Sequence, residues 1–542
     1  MSRNRDYAPR TFLLALLVVL LLLAAGFVPP VRVGAFVLKR INILSDLFPA
    51  EERAQELPEA REELLDTSFL AESIAFDPLL AAQSVPQDPL RGDTLSAPRL
   101  EWDLGGGSVP PRSASAADSL IDTAGAVPLE LFDSTGMAMA SFYDALAGGT
   151  AGRPVRIAVF GDSFIEADII TADLRQELQE LYAGRGAGFV PLASPLTVYR
   201  GTIKNKFEGF TSYNIMQKRS TPEPLRDRFS VSGWISRADP GARSRFAGSD
   251  FRRHIDRWSV ARILFINRND SQIEVVVNDT LSRTFSPPSD ERLQQIVVRG
   301  GDMTSVEVKI SQPEGFIGYG VVLEDETGIG VDNYSIRSNS GMALFGTDGR
   351  INSDLNRMLG FDLIILQYGL NAMSPDVHNY SAYCRQLCRI IDYVKLHFPQ
   401  SSILVMSVGD RSTMREGKPI TMSAVRAMIE AQRTAARQTG VAFWNTFEAM
   451  GGENSMVRFV KNSWAAKDYT HIGYAGGRYI AGELVRSLVA GRRSYVPPAE
   501  SRMQEPLLAP GTPLTGEPKN VEMLRPDKRQ ADRIIQKREN GL

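Results

Sequence analysis

Three near-continuous apolar runs, each followed by a stretch of helical period, constrain this chain more than any other feature. The first is "RIAVFG", Arg156 to Gly161, followed by "IITADLRQELQELY". The others are "FDLIILQYG" before "SAYCRQLCRIIDYV", and "SSILVMSVG" before "AVRAMIEAQRTAARQTG", which stops at Gly440. Apolar runs without alternation are what strands covered on both faces require. With "VAFWNT" as a further strand, the pattern predicts an α/β domain built on a parallel sheet. Between the first unit and the rest lies an all-β block, "ARILFI", "QIEVVV", "QQIVVR" and "SVEVKI", separated by turn clusters. In two of these runs the apolar residues alternate, Ile273, Val275, Val277 and Val306, Val308, Ile310, as half-buried sandwich strands do.

A chain of 542 residues exceeds one ordinary core, so several domains plus linkers are expected. The formal net charge of −2 provides no basic field, which excludes the usual nucleic-acid binder. "TFLLALLVVLLLLAAGFV", Thr11 to Val28, is apolar for about the length of a bilayer span and is followed by Pro29-Pro30. It reads as an uncleaved signal anchor, with a cleaved signal peptide as the competing reading. The expected organisation is therefore a cytoplasmic tail over 1–10, a membrane span over 11–28 and a Pro-, Ser- and acid-rich tether over 29–128. Then come the α/β domain over 129–204, a β-sandwich insertion over 205–329, the rest of the α/β domain over 330–493, and a disordered polar tail over 494–542. The topology puts the folded part outside the cytoplasmic membrane. Cys384 and Cys388, four apart on a helix, read as buried thiols. With only four histidines in the chain, a structural zinc site is not expected.

"GDSF" puts Ser163 at the carboxyl end of a strand just before a helix, where ligands bind in open α/β sheets. An Asp-Ser helix cap is the competing reading of the same residues. A serine nucleophile needs a base, a group to orient that base, and oxyanion donors. Asp468 and His471, three apart in "KDYTHIGYAGG", can share one loop with the carboxylate orienting the imidazole. Asn371 follows a strand in "LIILQYGLNAM", and Gly341 follows a strand-like run in "YSIRSNSGMALF". Each alone could be a turn residue.

The ordered set Ser163, Gly341, Asn371, Asp468–His471 resembles the SGNH (GDSL-type) hydrolase superfamily. "GDSFIEADIITADLRQELQELYAGRGAGFVP" and "GIGVDNYSIRSNSG" are similar to its peptidoglycan O-acetylesterase-like branch, which carries a β insertion like a carbohydrate-binding module. The resemblance covers roughly residues 130–492. It implies a three-layer α/β/α fold, Ser163 as nucleophile, His471 as base and Asp468 as its orienting group. It also implies an oxyanion hole from the Ser163 and Gly341 backbone and the Asn371 side chain, with no metal or organic cofactor. Two departures stand out: Phe164 where many relatives of that branch have histidine, and Ala372 where many members of the superfamily have aspartate. The implied activity is removal of O-acetyl groups from an envelope glycan, peptidoglycan first. An acetyltransferase served by a membrane acetyl-transfer partner would use the same residues, and an idle glycan-binding scaffold is the third reading. Trp234, Trp258 and Tyr319 are candidates for stacking on sugar, against core packing for each.

Overall fold

The computed structural model describes residues 32–33, 36–37, 100–105, 117–148, 150 and 153–497. In it the apolar runs become one sheet. Strands Ile329–Asn333, Val155–Gly161, Leu363–Gln367, Ser402–Met406 and Ala442–Trp444 lie side by side in that order, all parallel. Glu130–Leu131 closes the far edge antiparallel. Every residue of the five parallel strands is buried. This explains the missing alternation in their sequences.

Numbered along the chain, the five strands take the order 2-1-3-4-5. The direction of winding therefore reverses between the strand ending at Gly161 and the strand ending at Gln367, which are paired at those two residues. Right-handed crossovers on either side of such a reversal put helices on both faces of the sheet. Helices Thr171–Tyr182 and Tyr474–Ser494 pack together, and Ser381–His397 packs against both Gly349–Leu359 and Ala424–Thr439. In open α/β sheets such a reversal makes a crevice at the carboxyl ends of the two central strands.

The β block is a single ten-stranded sheet folded over its own core. Strand Trp234–Ala247 makes the fold. Its Ser236–Arg237 end pairs with Phe316–Glu324, and its Ala242–Ala247 end pairs with Ser305–Gln312. Ile263, Phe265, Val275, Val308 and Val321 fill the interior. The other face of the central strands is also covered, because Leu264, Ile266, Ile317, Tyr319 and Val322 belong to the core of the α/β domain. That double burial is why "ARILFI" and "FIGYGVVLE" do not alternate while "QIEVVV" does.

The expected boundaries shift. Strand Gly188–Pro191 already pairs into the β sheet, ahead of residue 205, whereas Ile329–Asn333 is a strand of the parallel sheet. Within the expected tether, Leu100–Asp103 pairs parallel with Asp290–Met303, and Ala117 and Asp118 are buried. The expected span over 11–28, most of the remaining tether and the tail beyond 497 lie outside the described residues. Among the described residues, no helix is long and apolar enough to cross a membrane.

Two buried charge networks join the domains. Arg156 of the first parallel strand, 0% exposed, bonds Asp332 of the neighbouring strand at 2.8 Å and Glu324 of the β sheet. Arg262 bonds the other oxygen of Glu324 at 2.6 Å. Asp168, just past the Ser163 turn, accepts from Arg175, Arg200, Thr171, Thr202 and Asn333. Burial opposes its ionisation, but Arg175 and Arg200 outweigh burial and hold its pKa far below the usual carboxylate range.

Candidate active site

The two strands that border the crevice end level with one another, and each carries a candidate residue on its following turn. Gly161 permits the close approach, since a Cβ there would sit 2.9 Å from Ile165 Cδ1 and 3.1 Å from the Gln367 carbonyl oxygen. Asp162 follows and is fully buried. Its Oδ1 accepts from the Phe164 N–H at 2.9 Å, and its Oδ2 accepts from Asn371 Nδ2 at 3.2 Å. Burial pushes its carboxyl up to about 7, against the Phe164 hydrogen bond and the field of His471. It caps no helix. Helix Thr171–Tyr182 starts after Ile170, with no side-chain cap.

Ser163 is half-buried at the turn, with Oγ 3.3 Å from His471 Nε2. His471 Nδ1 donates to Asp468 Oδ2 at 2.7 Å, so Nε2 carries the lone pair that faces the serine. Asp468 Oδ1 also accepts the backbone N–H groups of Thr470 and His471, at 2.9 and 3.0 Å. Burial raises the Asp468 pKa, but these bonds outweigh it and bring it down to about 2. The carboxylate is thus ionised across the ordinary pH range, while its three bonds fix the imidazole tautomer and the loop together.

Asn371 lies on the single turn Leu370–Ala372 after its strand. Its amide donates to Asp162 Oδ2 and to the Asn339 carbonyl oxygen, both at 3.2 Å. Gly341 has φ +91°, and a Cβ there would lie 2.6 Å from Ile390 Cδ1, so this position requires glycine. Its N–H, expected as a free oxyanion donor, is instead bonded to Asn339 Oδ1 at 2.8 Å. Sequence reasoning missed Asp162 and Asn339 as partners of the candidate donors. Asp162 stood in the quoted motif but had a part only in the competing cap reading. Nothing marked Asn339, because its role arises only when the 339–341 loop meets the Asn371 turn.

The aromatic candidates for sugar stacking need correction. Trp258 is 0% exposed inside the β core and Tyr319 is 2% exposed, its hydroxyl spent on the Arg228 carbonyl. Neither ring offers a face to a ligand. Trp234 is half-buried at the end of its strand. Phe164 is buried, so the position where many relatives carry histidine is here part of the core. Cys384 is a buried free thiol, and Cys388 meets Gln438 Oε1 at 3.3 Å.

No protein-family model matches the chain, and no curated protein matches it. Among solved structures, one described as a peptidoglycan O-acetylesterase in action aligns with a TM-score of 0.55 at 21% identity, over 68% of this chain and 99% of its own. The chain has an SGNH hydrolase-like fold. A family two carbohydrate esterase from Cellvibrio japonicus, at 10% identity over 54% of this chain and 98% of its own, aligns only at a TM-score of 0.23, too low to add to the argument. Within the SGNH hydrolase-like fold, the Ser163 and Asn371 turns flank the reversal point of the sheet, and the Asp468–His471 loop closes over it just before helix Tyr474–Ser494.

Proposed function

We propose that this chain is a serine esterase that removes O-acetyl groups from a cell-envelope glycan, with peptidoglycan as its first substrate. In this reading residues 11–28 anchor it in the cytoplasmic membrane, with the folded part on the outer side. The observation that carries the proposal is the Asp468–His471–Ser163 relay at the crevice of the sheet. The likeness to a peptidoglycan O-acetylesterase structure supports the choice of substrate.

Ser163 Oγ attacks the acetyl carbonyl carbon while His471 Nε2 takes its proton, and Asp468 stabilises the imidazolium that forms. The carbonyl oxygen gains the negative charge. The Ser163 backbone N–H and the Asn371 amide are its donors, the amide turning from Asp162 and Asn339 to reach it. Loss of one such donor costs on the order of a hundred-fold in turnover or more. Collapse expels the sugar oxygen, which takes the proton from His471 and leaves acetyl on Ser163. Water, deprotonated by His471, then attacks the acyl-enzyme and releases acetate.

The test is acetate release by the full chain from O-acetylated peptidoglycan and from acetylated xylan, with Ser163→Ala as control. Release from peptidoglycan that vanishes in the variant is the expected result. No release from either, while Ser163 is still labelled by a fluorophosphonate, turns the reading toward acetyl transfer. Absence of both release and label overturns it.

A further inference from the structure

Segment 411–422 forms a surface beside the relay that the reaction itself does not use. Strands Ser412–Arg415 and Lys418–Thr421 make an antiparallel hairpin, with Ser412 opposite Thr421, Met414 opposite Pro419 and Arg415 opposite Lys418. The connection, Glu416–Gly417, has φ of +52° and +75°, the two left-handed positions of a tight hairpin turn. The base of the hairpin is tied to both sides of the site. The Ser412 N–H donates to the carbonyl of Tyr469, next to Asp468, at 3.1 Å. Arg411 Nη1 donates to the carbonyl of Leu370, next to Asn371, at 3.4 Å. From that base, three residues of extended strand carry Arg415 about 10 Å outward.

The charge on this arm is unbalanced. Arg415 and Lys418 are exposed, and so is Lys467 beside Asp468, while Arg411 is half-buried. None of the four pairs with a carboxylate among the described residues. Three acidic groups near them in sequence or pairing are engaged elsewhere: Asp468 with His471, Glu453 with Arg426, and Asp410 with Ser455 and the Met456 N–H. Glu416 alone sits at the tip. Arg415 and Lys418 directly face one another across the strands, and like charges in that position destabilise a strand pair. An anionic ligand relieves that repulsion.

We propose that the Ser412–Thr421 hairpin is a docking arm for sugar-borne carboxylates. In this proposal Arg415 and Lys418 hold an acidic group of the glycan about 10 Å from the hairpin base while the acetyl ester sits at Ser163. The proposal rests on the esterase reading and narrows its substrate class to acidic glycans. The carboxylate is that of a peptide substituent on an amino sugar, in keeping with the peptidoglycan reading.

The test is calorimetric binding by the full chain carrying Ser163→Ala. The three ligands are peptidoglycan strands bearing their stem peptides, an oligogalacturonate, and a neutral xylo-oligosaccharide of matched length. The peptidoglycan strands bearing stem peptides should bind at least tenfold more tightly than the neutral ligand. Adding Arg415→Gln with Lys418→Gln should weaken binding of the peptidoglycan strands about tenfold or more and leave xylo-oligosaccharide binding unchanged. A response confined to the oligogalacturonate overturns the peptide carboxylate as the occupant. Equal binding of all three, or undiminished binding in the double variant, overturns the arm. Because the substitutions remove a repulsion, the variant should keep its melting temperature. In the otherwise unaltered chain the same pair should leave p-nitrophenyl acetate turnover within twofold. Failure of the unaltered chain to hydrolyse that ester counts against the esterase reading alone, since the binding arms judge the hairpin separately.

Discussion

The backbone N–H of Gly341 donates to Asn339 Oδ1 at 2.8 Å, and the carbonyl of the same asparagine accepts from Asn371 Nδ2 at 3.2 Å. One residue, 1% exposed, thus holds both of the groups that the chain pattern nominates beside Ser163 for the oxyanion. Asn339→Ala should lower kcat about tenfold with KM nearly unchanged, because it loosens groups that matter only once charge develops. Steady-state kinetics on a soluble acetyl ester checks this. A rise in KM at constant kcat would instead assign Asn339 to substrate binding.

The relay should behave as a unit. Ser163→Ala and His471→Ala should each reduce kcat by about 10⁴-fold or more, and the double variant should lose little beyond either single one. Asp468→Asn should cost less, because both side chains of the His471–Asp468 pair are about half exposed, at 46% and 47%. Turnover of p-nitrophenyl acetate by the three single variants and the Ser163–His471 double variant gives the comparison.

Asp162 makes stability depend on pH. Burial pushes its folded-state pKa up to about 7 from an ordinary value of 3.8. Its contribution to stability is therefore complete below about pH 4 and is lost as pH rises through 7. Asp162→Asn removes this dependence, so the variant should gain stability relative to the parent between pH 4 and 8, read from urea denaturation across that range. Its turnover should fall, since an NH2 donor replaces one of the two carboxylate oxygens that accept from the Phe164 N–H and Asn371 Nδ2.

Arg156 ties the two domains through Glu324 and Asp332. Breaking a buried ion pair by removing one partner typically costs about 3–5 kcal/mol. Arg156→Met should therefore lower the unfolding free energy by about that amount. Lys204→Ala, at an exposed pair with Asp250 separated by 3.9 Å, should change it by less than about 1 kcal/mol. Chemical denaturation followed by circular dichroism distinguishes the two.

Much of the α/β domain was legible because strands buried on both faces must be apolar throughout. The runs at 156–161, 361–369 and 401–409 all fall on parallel strands. The β block was legible as strands but not as a packing partner. Trp258 and Tyr319 were candidates for sugar stacking with core packing as the favoured reading, and the structure decides for the core, Trp258 inside the β block and Tyr319 against the α/β domain. Leu100–Asp103 gave no signal above its Pro- and Ser-rich surroundings, since its pairing partner lies almost two hundred residues downstream.

By itself, the amino-acid sequence determined the strand–helix alternation, the β interruption and the candidacy of Ser163, Asp468 and His471, because periodicity and functional groups are local properties. The tertiary structure alone decided which loops meet. The 2-1-3-4-5 strand order brings the Ser163 and Asn371 turns to one crevice, and the buried Asp162 and Asn339 then occupy the donors beside it. Such pairings join residues as much as 209 positions apart, and hydrogen bonds of that range leave no periodic trace in a chain.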